Sequence, residues 1–159
     1  MTTMFEPLAE AVVSRLKAAN LTLATAESCT GGLIGKLLTD VPGSSAVYMG
    51  GVISYTNQVK RRLLGVQPDT LRVYTAVSRQ AAHEMALGAR EVVQADIGVS
   101  VTGLAGPDSD EMGRQPGLVY IAIDMPGMSF CKELHLPGNR AMVRKLAAEA
   151  VLEMILEFA

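Results

Sequence analysis

The chain has 159 residues, of which 49% are hydrophobic and 19% are charged. This length and composition predict one packed globular domain over residues 1–159 and exclude a largely disordered chain. With 14 Lys and Arg against 16 Asp and Glu, the net charge is −2, which disfavours nucleic acid as a partner because such binding usually needs a basic surface.

The sequence also carries no signal for a membrane or an oxidising compartment. No apolar run approaches the roughly 18 residues that a membrane helix needs, and the opening MTTMFEPLAE lacks the basic and apolar regions of a signal peptide. The two cysteines, Cys29 and Cys131, can form neither a disulfide framework nor a CxxC metal pair. We therefore expect a cytoplasmic protein with no membrane partner and no bound metal.

Apolar periodicity in the first half of the chain predicts helices that alternate with short strands. Ser78 stands where an N-cap residue would begin a strong helix, with an apolar face from Ala82 to Val93. The predicted helices are 5–18, 28–38, 56–64 and the one after Ser78, and the predicted strands are 21–26 and 46–55.

The second half predicts three more strands and a terminal helix. Residues 97–101 alternate as a strand does, and residues 102–117 form a loop rich in Gly, Pro and Asp. Strands over 118–123 and 129–136 are joined by a turn at 125–128, and a helical stripe runs from Val143 to Phe158. Strands interleaved with helices predict an α/β domain, and the hairpin makes its sheet mixed.

Three polar segments with glycines each follow a predicted strand. They cover residues 27–32, 54–60 and 102–108. In layered α/β domains, ligands bind where loops converge at the carboxyl ends of the strands. We expect the functional site at that edge of the sheet.

The first polar segment offers two nucleophiles at a predicted helix start. Free backbone N–H groups there can hold an oxyanion or phosphate. Ser28 is one candidate nucleophile, although Ser28 or Thr30 could instead simply cap the helix. Cys29 is the other candidate, since a helix N-terminus lowers the pKa of a thiol. However, a catalytic cysteine normally needs a histidine base, and neither His83 nor His135 is placed to serve as one.

The second polar segment offers a lysine as the base. A lysine buried beside a serine can lose its proton near neutral pH and activate the hydroxyl, which suits Lys60. Tyr55, near the end of the preceding strand, could donate a hydrogen bond. The alternative is that Lys60 is a solvated charge, like the adjacent Arg61 and Arg62. No GxSxG elbow, P-loop or GxGxxG motif is present.

Five segments taken together resemble one known family, the CinA C-terminal-domain family, which includes stand-alone nicotinamide-nucleotide amidases. The resemblance covers residues 6–157 and lacks the larger N-terminal domain of other members, so we expect the short stand-alone form. The segments are AESCTGG at 26–32, GGVISYTNQVK at 50–60, AVS at 76–78, VTGLAGP at 101–107 and LPGNRAMVR at 136–144.

The resemblance implies a three-layer α/β/α domain, a homodimer or higher homo-oligomer, and no cofactor. It implies hydrolysis of nicotinamide mononucleotide to nicotinate mononucleotide and ammonia, a step of NAD recycling. The catalytic residues that it implies are Ser28, which matches the family's nucleophile, Lys60, which matches its base, and Tyr55, which matches its strand-end tyrosine. The positions expected to bind substrate are Thr30, Gly31, Asn57, Thr102, Gly103 and Arg140.

In this reading, backbone N–H groups from Cys29 to Gly31 hold the oxyanion, and Arg140, with Arg144 second, binds the substrate phosphate. The chain departs from the family at residues 108–113, where acidic residues replace a Gly-Gly pair and are expected to repel a phosphate. Leu118 replaces a threonine, and Asn139 replaces an aspartate. The alternative function is a non-catalytic nucleotide-binding or regulatory module of the same competence and damage-inducible family.

Overall fold

A computed structural model describes the chain from residue 5 to residue 159, and its side chains from residue 7. These residues form six helices and five strands, with a short 3₁₀ turn at Ser44–Ala46 before the second strand. The helices are α1 (Phe5–Ala19), α2 (Leu33–Thr39), α3 (Asn57–Leu64), α4 (Pro68–Val73), α5 (Arg79–Val93) and α6 (Arg140–Phe158). The strands are β1 (Leu23–Glu27), β2 (Tyr48–Ile53), β3 (Ile97–Gly103), β4 (Leu118–Met125) and β5 (Met128–His135).

The five strands form one mixed sheet in the order β2-β1-β3-β4-β5. Strands β2, β1 and β3 run parallel, and β4 and β5 add an antiparallel hairpin whose turn is Pro126-Gly127. Helices α1, α2 and α6 pack together on one face, and α3, α4 and α5 pack on the other. This arrangement confirms the expected three-layer α/β/α fold with a mixed sheet.

Burial follows the position of each strand in the sheet. The central strands β1 and β3 are buried along nearly their whole length, as expected of parallel strands covered by helices on both faces. The edge strand β2 alternates between half-buried and exposed residues. The larger core lies under α1 and α6, where Val12, Leu16 and Val151 are completely buried. No helix in the described part of the chain is long and apolar enough to cross a membrane.

Most predicted elements are present with shifted ends, but the predicted start of one helix is wrong and another helix has no predicted counterpart. Helix α2 starts at Leu33 rather than at residue 28, because Gly31 and Gly32 adopt positive φ angles of 62° and 107° that helical geometry excludes. Helix α4, with a proline at its first position, was not predicted from the sequence. The predicted cap is confirmed, since the Ser78 hydroxyl accepts a hydrogen bond from the Ala81 N–H at 3.1 Å.

Candidate active site

The three polar segments converge at the carboxyl ends of β1, β2 and β3. The strand register sets Glu27 level with Ile53 and Val101, so the residues that follow them emerge at one edge. A cleft of about 480 Å³ opens there. Its lining consists of Ser28, Cys29, Tyr55, Asn57, Lys60, Ala76, Val77, the 102–108 segment and Arg140.

Ser28 and Lys60 lie in direct contact in this cleft. The Lys60 Nζ is 2.9 Å from the Ser28 Oγ and donates to the Ser54 carbonyl oxygen at 2.7 Å. Lys60 is only 2% exposed, so it is not the solvated charge that the sequence left open. Because burial removes water from the ammonium, it lowers the pKa of Lys60 to about 8. The geometry therefore meets the requirement for a serine activated by a lysine base.

Helix α3 carries Lys60 into the site. Thr56 begins the helix, and its hydroxyl accepts from the Val59 N–H at 3.3 Å. Lys60 and Leu64 lie four residues apart and are the buried residues of the helix. Lys60 is thus buried because it shares the inward face of α3 with a core leucine. Its burial was hard to predict from the sequence because the charged residues Arg61 and Arg62 follow it.

Ser28 lies on a tight turn between β1 and α2, which we call the nucleophile turn (residues 28–31). The Ser28 N–H donates to the Val101 carbonyl at 3.0 Å, and the Gly31 N–H donates to the Ser28 carbonyl at 3.1 Å. Within residues 7–159, the backbone N–H groups of Cys29 and Thr30 have no hydrogen-bond acceptor in another residue, and the Cys29 N–H interacts with its own thiol. Gly31 is therefore not available as an oxyanion donor, and of the other two residues only Cys29 lines the cleft, since Thr30 is completely buried.

Helix α2 begins differently from the sequence-based expectation. Neither Ser28 nor Thr30 caps it, and its first N–H groups are not free for a ligand. The buried carboxylate of Glu27 accepts from the N–H groups of Gly32, Ile34 and Gly35 and from the Thr30 hydroxyl, at distances of 2.6 to 3.2 Å. A carboxylate at this position also interacts favourably with the helix dipole.

The Cys29 thiol is less acidic than expected. The position before a helix predicts a lowered pKa, and that prediction is wrong. Burial raises the pKa of Cys29 to about 11, although a hydrogen bond from its own backbone N–H and the charges of Lys60 and Arg144 act in the opposite direction. Desolvation dominates because the thiol is almost completely enclosed. A thiolate is therefore rare at neutral pH, which favours Ser28 over Cys29 as the nucleophile.

Tyr55 and Arg140 meet across the mouth of the cleft. The Arg140 guanidinium donates to the Tyr55 hydroxyl at 3.0 Å and to the Gly106 carbonyl at 2.7 Å. Both side chains are exposed, with Tyr55 at 59%. Arg140 therefore links α6 to the loop after β3 and keeps part of its guanidinium accessible to an anion.

The remaining positions expected to bind substrate divide into two groups. Asn57, Thr102 and Gly103 line the cleft, and the Thr102 hydroxyl donates to the Ala76 carbonyl at 2.7 Å. Thr30 and Gly31 are not among the lining residues, and the Thr30 side chain is fully buried against Glu27.

The 108–114 loop is stabilised by its own ion pair. Asp110 accepts from the Arg114 Nε at 2.7 Å, and Arg114 also donates to the Val77 carbonyl and the Thr75 hydroxyl. The charge of Asp110 is thus compensated within the loop. Asp108 is the acidic residue among those that line the cleft.

Two further residues have roles in the site that the sequence did not predict: Glu27 was not singled out, and Arg144 was expected only as a second phosphate ligand. Arg144 donates from its Nε to the Cys29 carbonyl at 3.0 Å and from its Nη2 to the Thr30 carbonyl at 3.1 Å. It is therefore engaged with the nucleophile turn rather than free to bind phosphate. Glu27 had a local signal, since a carboxylate just before a helix predicts a cap. No local signal in the sequence predicts the contacts of Arg144, because its partners lie 114 and 115 residues away.

The histidines lie outside this cleft. His83 Nδ1 is 2.7 Å from the Ser129 hydroxyl, and His135 Nε2 is 2.9 Å from a Glu133 carboxylate oxygen. In the described part of the chain, no group of three or more His, Cys, Asp or Glu side chains is arranged to hold a metal ion.

Comparison with known sequences identifies relatives over nearly the whole chain. A CinA-like protein from Myxococcus xanthus is 45% identical over 151 residues, which are 94% of this chain and 36% of the relative. A relative from Desulforamulus reducens with a competence-damage inducible name is 48% identical over 153 residues, 96% of this chain and 37% of the relative. The chain thus spans about a third of the length of these curated relatives.

Solved structures share the fold. The competence/damage inducible protein CihA from Agrobacterium tumefaciens superposes with a TM-score of 0.94 at 38% identity, covering 99% of this chain and 96% of that one. A competence-damaged protein (CinA) superfamily protein from Escherichia coli superposes with a TM-score of 0.96 at 35% identity, covering 98% and 91%. The family model described as the CinA C-terminal domain matches residues 5–159. The chain therefore belongs to the CinA C-terminal-domain family.

Proposed function

We propose that this chain is an amidase that hydrolyses the carboxamide of nicotinamide mononucleotide to nicotinate mononucleotide and ammonia. One observation carries the proposal, the 2.9 Å contact between the Ser28 Oγ and the buried Lys60 Nζ in an open cleft. A serine and an amine at this distance are suited to nucleophilic attack on a carbonyl with the amine as general base.

The proposed reaction starts from neutral Lys60. The neutral amine still donates a hydrogen to the Ser54 carbonyl, and its lone pair accepts the Ser28 proton. The Ser28 Oγ attacks the carboxamide carbon, and the C–N bond breaks as Lys60 gives its proton to the leaving ammonia. Water then attacks the acyl-enzyme ester while Lys60 takes the water proton. The bond between the acyl carbon and the Ser28 Oγ breaks, Lys60 returns the proton to the Oγ, and nicotinate mononucleotide leaves.

The charges around the cleft and the resemblance to nicotinamide-nucleotide amidases support the proposed substrate class. Arg140 is the proposed phosphate ligand, because its guanidinium is exposed at the cleft mouth and held by Tyr55 and Gly106. Tyr55 would orient Arg140 and the substrate, while Asn57 and Thr102 line the wall. A mononucleotide is compatible with a cleft of about 480 Å³, which lies in the range of small-molecule sites.

We also propose that the chain acts in the cytoplasm as a homodimer or higher homo-oligomer. The free thiols of Cys29 and Cys131 support a reducing compartment. Met49 and Ile53 support self-association, because they are large apolar side chains exposed on the edge strand β2. Sedimentation velocity of the purified chain would contradict this assembly if only the monomer is present at micromolar concentration.

Ammonia release from nicotinamide mononucleotide tests the proposed reaction. We expect release by the unchanged chain, loss of more than about a thousandfold in kcat for Ser28→Ala and Lys60→Ala, and retained ligand binding by Ser28→Ala. Lys36→Ala is the matched control, since Lys36 is an exposed lysine paired only with Asp40. Binding of the nucleotide without release by the unchanged chain would instead support the non-catalytic regulatory module.

A further inference from the structure

We infer that the Thr102 hydroxyl selects a carboxamide against the corresponding carboxylate, because toward the cleft it can only accept a hydrogen bond. This inference rests on the proposed function, since it states how that site distinguishes its amide substrate from its acid product. The family resemblance places Thr102 among the substrate-binding positions without a role. The role follows from its position beside Ser28 and from its own hydrogen bond.

Thr102 lies beside the nucleophile on the same face of the sheet. Strands β1 and β3 pair in parallel, and the Ser28 N–H donates to the Val101 carbonyl at 3.0 Å, so Ser28 and Thr102 occupy neighbouring positions on the two strands. Both side chains face the layer of α3, α4 and α5. The Ser28 Oγ contacts Lys60 of α3, and the Thr102 hydroxyl contacts Ala76, just before α5. Both residues line the cleft.

The hydrogen of the Thr102 hydroxyl is already committed. It is donated to the Ala76 carbonyl oxygen at 2.7 Å, and a hydroxyl carries one hydrogen and two lone pairs. Turning this hydrogen toward a ligand would leave the Ala76 carbonyl without its donor, which costs free energy at a residue only 1% exposed. At the floor of the cleft, the Thr102 Oγ1 therefore presents lone pairs only.

The carbonyl that fixes Thr102 is itself held in place. Arg114 donates to the Val77 carbonyl at 2.6 Å and to the Thr75 hydroxyl at 2.9 Å, so it ties down the residues on both sides of Ala76. These contacts keep the Ala76 carbonyl directed at Thr102. Ala76 and Val77 belong to the AVS motif, which has no part in the proposed reaction steps, and this carbonyl gives the motif a role in the site.

A carboxamide and a carboxylate differ in what they can offer to such an oxygen. The carboxamide NH₂ has two hydrogens to donate, whereas an ionised carboxylate can only accept. A carboxamide held at Ser28 can donate one hydrogen to the Thr102 Oγ1. A carboxylate would set its own lone pairs against those of the hydroxyl, and a site built around a hydrogen bond rejects a ligand that cannot make it. The acid product is therefore bound less tightly than the amide, which favours its release.

Binding of the amide and the acid to a variant without turnover tests the inference. In the Ser28→Ala background at pH 9, where Lys60 with a pKa of about 8 is mostly neutral, the Kd values of nicotinamide mononucleotide and nicotinate mononucleotide are compared. We expect the acid to bind at least about tenfold more weakly than the amide. Adding Thr102→Val, which removes the hydroxyl at nearly constant volume, should reduce this ratio about threefold to tenfold, and Thr102→Ser should keep it.

Ser100→Ala is the matched control. Ser100 lies two residues earlier on the same face of β3, is completely buried and donates its hydroxyl hydrogen to the Ala82 carbonyl, but it does not line the cleft. Ser100→Ala should lower the melting temperature and leave the ratio of the two Kd values within about twofold. If Thr102→Val behaved in the same way, its hydroxyl would be structural only and the inference would be overturned.

A second probe separates amide recognition from activation of the serine. An alkyl fluorophosphonate has no N–H group to donate to Thr102. It reacts with an activated serine: the Ser28 Oγ–P bond forms, the P–F bond breaks, fluoride leaves, and the serine proton passes to Lys60 and then to solvent. Measured by intact mass, labelling should be absent in Ser28→Ala, and Thr102→Val should slow it much less than it slows ammonia release. Equal slowing of the two rates would show that Thr102 serves the nucleophile and would overturn the inference.

The outcomes separate this inference from the proposed function. If the unchanged chain releases no ammonia, but Ser28→Ala prefers the amide and loses that preference with Thr102→Val, the amidase fails and the selection stands. If ammonia is released but the acid binds as tightly as the amide, or Thr102→Val leaves their ratio unchanged, the selection is overturned and the amidase stands. If neither nucleotide binds and no ammonia is released, both are overturned.

Discussion

The pH dependence of acylation follows directly from the burial of Lys60. The reaction needs the neutral amine, and burial lowers the pKa of Lys60 from its ordinary value of 10.5 to about 8. With a pKa of about 8, the neutral fraction rises from about 9% at pH 7 to about 91% at pH 9. We therefore expect kcat/KM to rise about tenfold over this interval and to level off above pH 9.

An unperturbed lysine would give a different curve. With a pKa of 10.5, the neutral fraction would rise about 100-fold between pH 7 and pH 9 and would keep rising beyond pH 10. Two other groups near the reaction lose their protons outside this interval. A substrate phosphate loses its second proton near pH 6, and the Cys29 pKa is about 11.

The assay is initial ammonia release at subsaturating substrate between pH 6 and pH 10.5, with the fluorophosphonate labelling rate as a second readout. Lys60→Arg is the control, because a guanidinium stays protonated throughout and cannot act as the base. A rate that climbs through pH 10 without levelling, or one that does not change with pH, would refute the assignment of buried Lys60 as the base.

Two further predictions concern the surroundings of the dyad. At pH 8 a thiol with a pKa of about 11 is only about 0.1% thiolate, so Cys29 should resist alkylation by iodoacetamide in the folded chain and react once the chain is unfolded. Peptide mass mapping measures this difference, and fast alkylation of Cys29 in the folded chain would contradict its burial. Gly88→Ala would place a methyl group against the Leu64 carbonyl oxygen, where α5 packs on the helix that carries Lys60. We expect Gly88→Ala to destabilise the chain by about 2 kcal/mol or more. The control Gly65→Ala should cost only about 1 kcal/mol, because its added methyl group meets no atom and only the positive φ is unfavourable. Equal melting temperatures for the two variants would contradict this packing.

The fold was largely predictable because its signals are local. Apolar periodicity, turn residues and the Ser78 cap act within a few residues, and they give the α/β layers and the terminal hairpin. The boundary of α2 was misplaced because the positive φ angles of Gly31 and Gly32 end the helical pattern in a way that composition does not specify. Helix α4 was missed because six residues are too few to show a periodic apolar stripe.

The convergence of the three polar segments could also be predicted, since carboxyl ends of parallel strands share one edge of a sheet. The roles of individual side chains could not. The sequence left open whether Lys60 is a base or a solvated charge, and it predicted an acidic thiol at Cys29 that the structure contradicts. Both depend on desolvation, which is set by atoms from elements far apart along the chain.

The sequence by itself thus determined the layered fold and the segments from which the candidate site is built. Only the tertiary structure decided the protonation and the hydrogen-bond partners of the side chains in these segments. It buries Lys60 against Ser28, 32 residues away, and it brings Arg144 from the last helix into contact with the nucleophile turn. The physical reason is that secondary structure follows from neighbouring residues, whereas burial, pKa and hydrogen-bond partners follow from contacts that exist only after the layers have packed.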